Sequence, residues 1–459
     1  MKIPLSPPPM ERLLSELLRR GPDAVHAADP LVSGRYLHWD ELRHRPPPEG
    51  LSHEDWWAGI KLARAGLLKV LPFRDKHGGP MRFGMPDPVL RALHNIDRRA
   101  AGSLSMESPV VSGEDRDRYL VSSLIEEAIT SSQLEGAATT REEAKAMLRS
   151  GRRPRNRSER MIFNNFQAME RIRELRAEPF TPERVLELHR IVTADTLDDP
   201  GAAGRLRVEG ERVQVVDAQH VNVLHDPPAA ADLPARLAAL CDFADRADDA
   251  EPFVHPVIRA ILLHFMLGYD HPFVDGNGRT ARALFYWSLA RDGYWLLEYV
   301  SISRLLRRAP ARYSRAYLYT ETDDNDATYF IIHQLGVIEQ AIAALYEYLD
   351  RKAVERRSAE NLLRHAPGLS ADLNHRQVAL LSHALRHPGH DYTVESHRRS
   401  HRVTTQTART DLLRLAGGGL LEQRKRGRAF VFRVPDDLRG RIAAAAGPLV
   451  EARRKPTRR

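Results

Sequence analysis

Twelve consecutive residues could do chemistry together: His271-Pro-Phe-Val-Asp-Gly-Asn-Gly-Arg-Thr-Ala-Arg282. His271 is the nearby side chain whose ordinary pKa permits base work at neutrality, and the adjoining proline restricts the chain around it. Asp275 is a hard oxygen ligand suited to Mg²⁺ shared with phosphate oxygens. Gly276, Asn277 and Gly278 can turn consecutive backbone N–H groups towards one point, and a helix starting behind them adds the positive end of its dipole. That is a cradle for anions. Arg279 and Arg282 fall on one helix face beside it, with forks that fit phosphate. Base, metal ligand, cradle and paired arginines describe phosphoryl or nucleotidyl transfer.

These groups work together only if two helices meet at that loop. The apolar run Val257–Leu267 predicts the first, ending before Pro272 because a residue that precedes proline is pushed out of the helical region. The second is predicted from about Gly278 through Leu284, Phe285, Trp287 and Leu289. Apolar residues recur at helical spacing in Val185–Val192, Leu233–Phe243 and Thr328–Leu349, the first opened by Thr181 as N-cap and Pro182 behind it. The chain from about residue 119 to 348 therefore reads as mostly α. One interruption, Arg205–Val223, alternates at Val213 and Val215 around Glu209-Gly210-Glu211 and predicts a β-hairpin. Upstream, Leu124–Ile129 lead into Ser131-Ser-Gln-Leu-Glu135-Gly136, a helix end. Residues 1–110, with Trp39, Trp56 and Trp57 among proline- and glycine-rich turns, read as a small irregular module, its Trp56-Trp57 pair expected in a core.

The whole chain has 459 residues, 69 Lys+Arg against 61 Asp+Glu and a formal net charge of +8. With 42% hydrophobic and 28% charged residues it has the composition of a soluble globular protein of about three folding units. A single cysteine, Cys241, excludes an intramolecular disulfide framework and fits a reducing, cytoplasmic setting. The opening MKIPLSPPPMERLL lacks the apolar region of a signal peptide. The apolar stretch Val257–Tyr269 is too short, and with Arg259 and His264 too charged, to span a bilayer, so no membrane is expected as a partner.

The basic excess is C-terminal. From His397 to Arg428 nine Lys/Arg face Asp411 and Glu422, and the tail over 437–459 carries Arg453, Arg454, Lys455, Arg458 and Arg459. Residues 374–434 read as three helices (Asn374–Leu385 with Asn374 as N-cap, Val394–His401, and one opened by Thr404 or Thr405) followed by a hairpin over Leu420–Arg424 and Arg428–Arg433. Gly417-Gly-Gly419 stops the third helix. This order resembles a winged helix-turn-helix over 370–436, which implies DNA as a partner. Thr405, Gln406 and Arg409 would face bases, with Lys425 and Arg426 of the wing on phosphates. Docking on a protein is the other use of such a module.

The segment His271–Arg282 matches His-Pro-Phe-x-Asp-Gly-Asn-Gly-Arg-x-x-Arg without a departure, and over about residues 120–345 the chain resembles the Fic/Doc family. The resemblance implies a mainly α fold, a Fic-type helical bundle with a β-hairpin flap, in a catalytic domain over 111–350. It implies a nucleotidyltransferase that moves AMP from ATP to a Tyr, Ser or Thr hydroxyl of a target protein. By that resemblance His271 would deprotonate the hydroxyl and Asp275 would hold Mg²⁺. Phe273, Gly276, Asn277, Gly278, Arg279 and Arg282 would bind the nucleotide and its phosphates. The kinase branch of the family typically carries lysine where Gly278 stands, which favours nucleotidyl transfer here. The hairpin at 205–223 falls where such proteins carry the flap, an edge on which an extended target segment can pair. Tyr313, Tyr317 and Tyr329 resemble the family's Tyr-rich segment near the base pocket, with two of the three expected in the core.

Ser131, Glu135 and Gly136 match the Ser/Thr-x-x-x-Glu-Gly pattern of the family's inhibitory helix, near 124–136. That implies a brake in which Glu135 pairs bidentately with Arg282 and withholds it from the γ-phosphate. In some members the same glutamate aligns a water that removes AMP, and homodimers regulate some, though no residue here maps an interface. Two readings result: an autoinhibited adenylyltransferase, or a DNA-binding transcriptional regulator whose Fic core senses nucleotide.

Overall fold

The structure, a computed structural model, describes residues 2–20, 28–100, 113–217, 222–247, 249–364, 373–401, 403–426 and 429–445. The chain forms two compact units, Met1–Leu345 and Tyr346–Arg459. Both are mostly helical, with short two- and three-stranded sheets.

The first unit is organised on the helix Pro256–Asp270, opened by His255 as N-cap with Pro256 in the first turn, and buried on every side. Such a helix belongs at the centre of a bundle. It packs along Asn277–Arg291, itself almost wholly buried, and these two carry the motif between them. Around them lie Gly113–Leu134, Arg157–Leu175 and Pro182–Thr193. The last is capped by Thr181 and opened by Pro182, as its sequence predicts. Helix Thr328–Arg364 is apolar enough over Thr328–Arg351 to cross a bilayer by composition alone. Phe330, Ile331, Leu335, Ile338 and Ile342 are all buried, however, which makes this a core helix.

Residues 1–100 do not stand apart. They belong to the same compact unit as the motif and are tied to the corner Asp323–Tyr329. Lys61 Nζ donates to Asp323 at 2.7 Å, Arg64 to the Tyr329 hydroxyl at 2.9 Å, and the Gly84 N–H to Thr328 Oγ1 at 2.7 Å. Trp57 is fully buried with Trp39 and Leu42, and Trp56 packs on the same cluster. Strands Leu68–Arg74 and Pro80–Gly84 pair antiparallel, with an irregularity between Val70 and Arg74.

The hairpin expected around Glu209-Gly210-Glu211 lies further along. Val215–Val216 pairs antiparallel with Val223–His225, and the turn residues 218–221 fall outside the described residues. Residues 208–211 form a separate turn instead. Arg205 grips both oxygens of Glu211 at 2.9 and 2.6 Å, and Glu211 accepts the Val208 N–H. Those charged contacts close the loop before any strand can form, and Val213 belongs to no strand.

The second unit contains the helices His375–Arg386, Val394–His401 and Thr405–Gly417, capped by Asn374 and Thr404 at the first and third. Strands Glu422–Arg426 and Ala429–Arg433 pair as expected, and a third strand, Asp391–Thr393, joins them in the order 391–393, 429–433, 422–426. At three residues it is too short to show an alternating pattern in the sequence. Arg402 and Arg428, the Arg426 side chain and the basic residues 453–459 of the tail lie outside the described residues.

Candidate active site

His271 caps the central helix in the left-handed conformation, φ 45°, its N–H bonded to Leu267 O. The residue before Pro272 thus leaves the helix as expected, but by reversing the chain rather than extending it. Gly276, φ 83°, then caps the motif helix, which starts at Asn277. A side chain there would be strained, and its Cβ would lie 2.6 Å from Thr193 Cγ2, so glycine is required twice over.

The six-residue turn is held by partners the sequence did not announce. Asn277 Oδ1 accepts the Phe273 N–H at 2.9 Å and its Nδ2 donates to Phe273 O at 2.8 Å. The Asn277 side chain is therefore a staple rather than a phosphate ligand. Only its backbone N–H, with that of Gly278, remains for the cradle at the helix start. Phe273 is fully buried and stacks on His189, ring centroids 3.7 Å apart, so it positions the turn and does not face a nucleotide. His189 accepts the Gly204 N–H at Nδ1 and donates from Nε2 to Asp275 O at 2.9 Å. Burial keeps that ring neutral, its pKa pushed down to about 4. Arg207 secures the other end, donating Nε to His271 O at 3.1 Å while its backbone N–H bonds Pro272 O. Only contacts across the fold reveal His189 and Arg207, more than sixty residues upstream of the motif.

The predicted site residues divide in two. Arg279 is fully buried and points away from the cradle, with Nη1 on Val192 O at 3.0 Å and Nη2 3.4 Å from Asp275 Oδ1. It braces Asp275 rather than a phosphate. Asp275 keeps Oδ2 at the rim, 3.6 Å from Arg157. A single carboxylate with an accessible oxygen suits Mg²⁺ carried in with phosphate oxygens, and no cluster of three ligands exists among the described residues.

His271, Glu135, Gly278 and Arg282 instead converge. They line one pocket of about 170 Å³ with Tyr313 and Tyr317, and the flap residues Val215 and Leu224 reach its mouth. His271 Nδ1 donates to Gly268 O at 3.2 Å, so Nε2 keeps its lone pair. Burial pushes the His271 pKa down to about 4 and keeps the ring neutral. Tyr313 bonds the buried His264, and Tyr329 lies away with the N-terminal segment, on the Asp323 corner.

Arg282 is buried and its fork is divided. Nε donates to Ser131 Oγ at 2.8 Å, and Nη2 reaches Ser131 O at 3.1 Å and Glu135 Oε1 at 2.8 Å. The expected bidentate carboxylate pairing is thus a single contact, because Ser131 occupies the rest of that edge. Nη1 is buried without a partner. The Glu135 carboxylate lies over the first turn of the motif helix: a Cβ on Gly278 would meet Oε1 at 2.1 Å. Glu135 follows directly on the helix Gly113–Leu134, and Gly136, φ 92°, turns the chain away. Glu127 anchors that helix, accepting from Tyr286 OH at 3.0 Å, Ser301 Oγ at 2.7 Å and Ser303 Oγ.

Residues 179–289 match the family model described as the Fic/DOC family. That segment, and with it the whole motif His271–Arg282, is similar to the family. A protein adenylyltransferase Fic of Nematostella vectensis is 38% identical over 119 residues, 26% of this chain and 25% of that protein. That of Drosophila melanogaster is 40% identical over 116 residues, 25% of this chain and 20% of that protein. The chain therefore spans a quarter or less of the length of these curated relatives. A crystal structure of a Fic family protein from Desulfovibrio desulfuricans G20 shares its fold, with a TM-score of 0.50 at 18% identity, covering 76% of this chain and 96% of that one. The matched segment contains the Fic motif, the flap, His189 and Arg207, but not Ser131 or Glu135.

Proposed function

We propose that the protein is an adenylyltransferase that moves AMP from ATP to a hydroxyl of a target protein and is held back by its own Glu135. The observation that carries this reading is the Glu135 carboxylate over the start of the motif helix, against Arg282 and beside His271. An anion already sits where a phosphate would be cradled, which is what a brake on phosphate binding requires.

With Glu135 displaced, the N–H groups of Asn277 and Gly278 and the open Nη1 of Arg282 would hold the phosphate chain. His271 Nε2, neutral and unprotonated, would accept the proton of the incoming hydroxyl as its oxygen bonds the α-phosphorus. The bond from that phosphorus to the β-phosphate bridging oxygen breaks, pyrophosphate leaves with the electron pair, and AMP stays on the target. Mg²⁺, held by Asp275 with phosphate oxygens, would neutralise charge on the nucleotide. The flap strands would offer the target segment an edge for backbone pairing. In the brake position Glu135 also faces the pocket in which a water could be aligned to remove AMP.

The test is transfer of the α-phosphate label of ATP by the Glu135→Gly protein with and without His271→Ala. Labelling that survives the loss of His271 overturns the assignment of the base.

A second function is favoured in the C-terminal unit, which we propose is a winged helix that binds DNA. In Thr405–Gly417 the side chains of Ala408, Asp411, Leu412 and Leu415 are buried, while Thr405, Gln406 and Arg409 are exposed along one side. Lys425 is exposed on the hairpin. Arg398 and Arg399 are spent on Glu395, and Arg424 on Glu422, so the charge available to phosphates is smaller than the residue count.

A further inference from the structure

The helix Pro310–Thr322 walls two pockets, one on each side. Tyr313 and Tyr317 turn to the His271 pocket. Arg312, Arg315, Ala316 and Tyr319, spaced as one helical face, turn to a second pocket of about 610 Å³, a volume in the range that takes small molecules. Its other walls are Arg35 and Tyr36 of the N-terminal segment and His333 of the following helix. No residue of the candidate active site lines it.

The chemistry of the wall is one-sided. Arg312 and Arg315 are exposed on successive turns, and neither has a carboxylate within ion-pair reach among the described residues. They sit in the first turns of a thirteen-residue helix, where its dipole adds positive charge. Arg35 lines the same pocket, paired with its one carboxylate, Glu41, at 3.3 Å. The floor is aromatic and already fixed. Tyr319 stacks on His38 with centroids 4.3 Å apart, and the Tyr36 hydroxyl is bonded to Asp326 at 2.5 Å. Rings held in this way need little further ordering to accept a flat ligand. His333 adds a buried Nδ1 with no hydrogen-bond partner, a polar atom in the wall that the protein itself leaves unsatisfied.

We propose that this pocket binds a small anionic aromatic ligand of the mononucleotide class, its phosphate on Arg312 and Arg315 and its ring against Tyr319. A free anion would use only the arginines, and a neutral aromatic only the floor; a nucleoside monophosphate uses both. The proposal does not depend on adenylyl transfer. It gives the N-terminal segment a part in ligand binding, since Arg35 and Tyr36 complete the site.

The test is calorimetric titration of the full chain with AMP, adenosine and inorganic phosphate separately, for wild type, Arg312→Ala/Arg315→Ala, Tyr319→Leu and Arg282→Ala. Expected is AMP binding that weakens at least tenfold in the double variant and several-fold in Tyr319→Leu, and that persists in Arg282→Ala. Adenosine and phosphate should each bind at least tenfold more weakly than AMP. Absence of AMP binding to wild type overturns the proposal. So does AMP binding lost in Arg282→Ala but unchanged in the double variant, which places it in the His271 pocket. Phosphate binding as tight as AMP removes the aromatic half of the assignment.

Discussion

Replacing Glu135 with glycine deletes one charged contact and leaves the rest of the Arg282 fork in place. Ser131 still accepts from Nε at 2.8 Å and from Nη2 at 3.1 Å, so the guanidinium stays pointed at the cradle. What is lost is the 2.8 Å contact from Nη2 to Glu135 Oε1. A hydrogen bond between charged groups is worth about 1.5–3 kcal/mol. A phosphate that must displace it gains roughly 10- to 150-fold in productive occupancy when it is gone, at about 1.4 kcal/mol per tenfold. Glu135 is 29% exposed, so solvent already screens part of the pair and the lower half of that range is the expected result. Glu135→Gln, which keeps the oxygen but not the charge, should fall between. The assay is the initial rate of label transfer from α-labelled ATP, with the ATP dissociation constant measured in parallel. The reasoning is refuted if Glu135→Gly transfers and binds no better than wild type while Arg282 stays folded, as judged by an unchanged circular dichroism spectrum.

Other outcomes follow from the same contacts. Asn277→Ala leaves the buried N–H and C=O of Phe273 unpaired and should cost about 1–3 kcal/mol of stability, read from the denaturant midpoint, together with most of the activity. His38, His189, His271 and His333 all have folded pKa values near 4 because burial disfavours their charged forms. The unfolded chain takes up protons first as the pH falls below about 6.5, so stability should drop between pH 6.5 and 4, measured as urea midpoints at pH 7 and pH 5. Asp270, pushed up to about 6 by burial, and the buried Asp326, also raised, work in the opposite direction, but the four histidines are joined by the buried His264, lowered further still. For the same reason the acid limb of transfer activity should fall near pH 4 rather than 6.5. In the C-terminal unit, Lys425→Ala should lower the salt dependence of binding to duplex DNA by about one in slope, as for one phosphate contact removed, whereas Arg409→Ala should reduce discrimination between DNA sequences.

The chemistry of the site was legible because its signal is local. His271, Gly278 and Glu135 fall on helix ends whose caps and turn residues mark themselves, Arg282 lies one turn further along the motif helix, and helix geometry then brings them together. What stayed hidden depends on contacts between distant segments. Arg207 and His189 are an ordinary arginine and histidine until the fold puts them on the carbonyls of His271 and Asp275. Asn277 and Phe273 sit inside the motif, yet their side chains turn inward to hold the turn, a choice that spacing alone does not express. Arg279 lies three residues from Arg282, but the 3.6-residue period swings it about 60° around the axis, onto Val192 and Asp275. The hairpin was displaced because an Arg205–Glu211 pair, invisible to alternation, closed the earlier loop.

The most direct measurement is to incubate the Glu135→Gly protein with ATP labelled on the α-phosphate and, separately, on the γ-phosphate, and to count label on protein in each. Transfer of AMP predicts protein-bound label from the α position alone. Label from the γ position, with none from the α, would mean that the cradle holds the nucleotide the other way round for phosphoryl transfer, and would contradict the account.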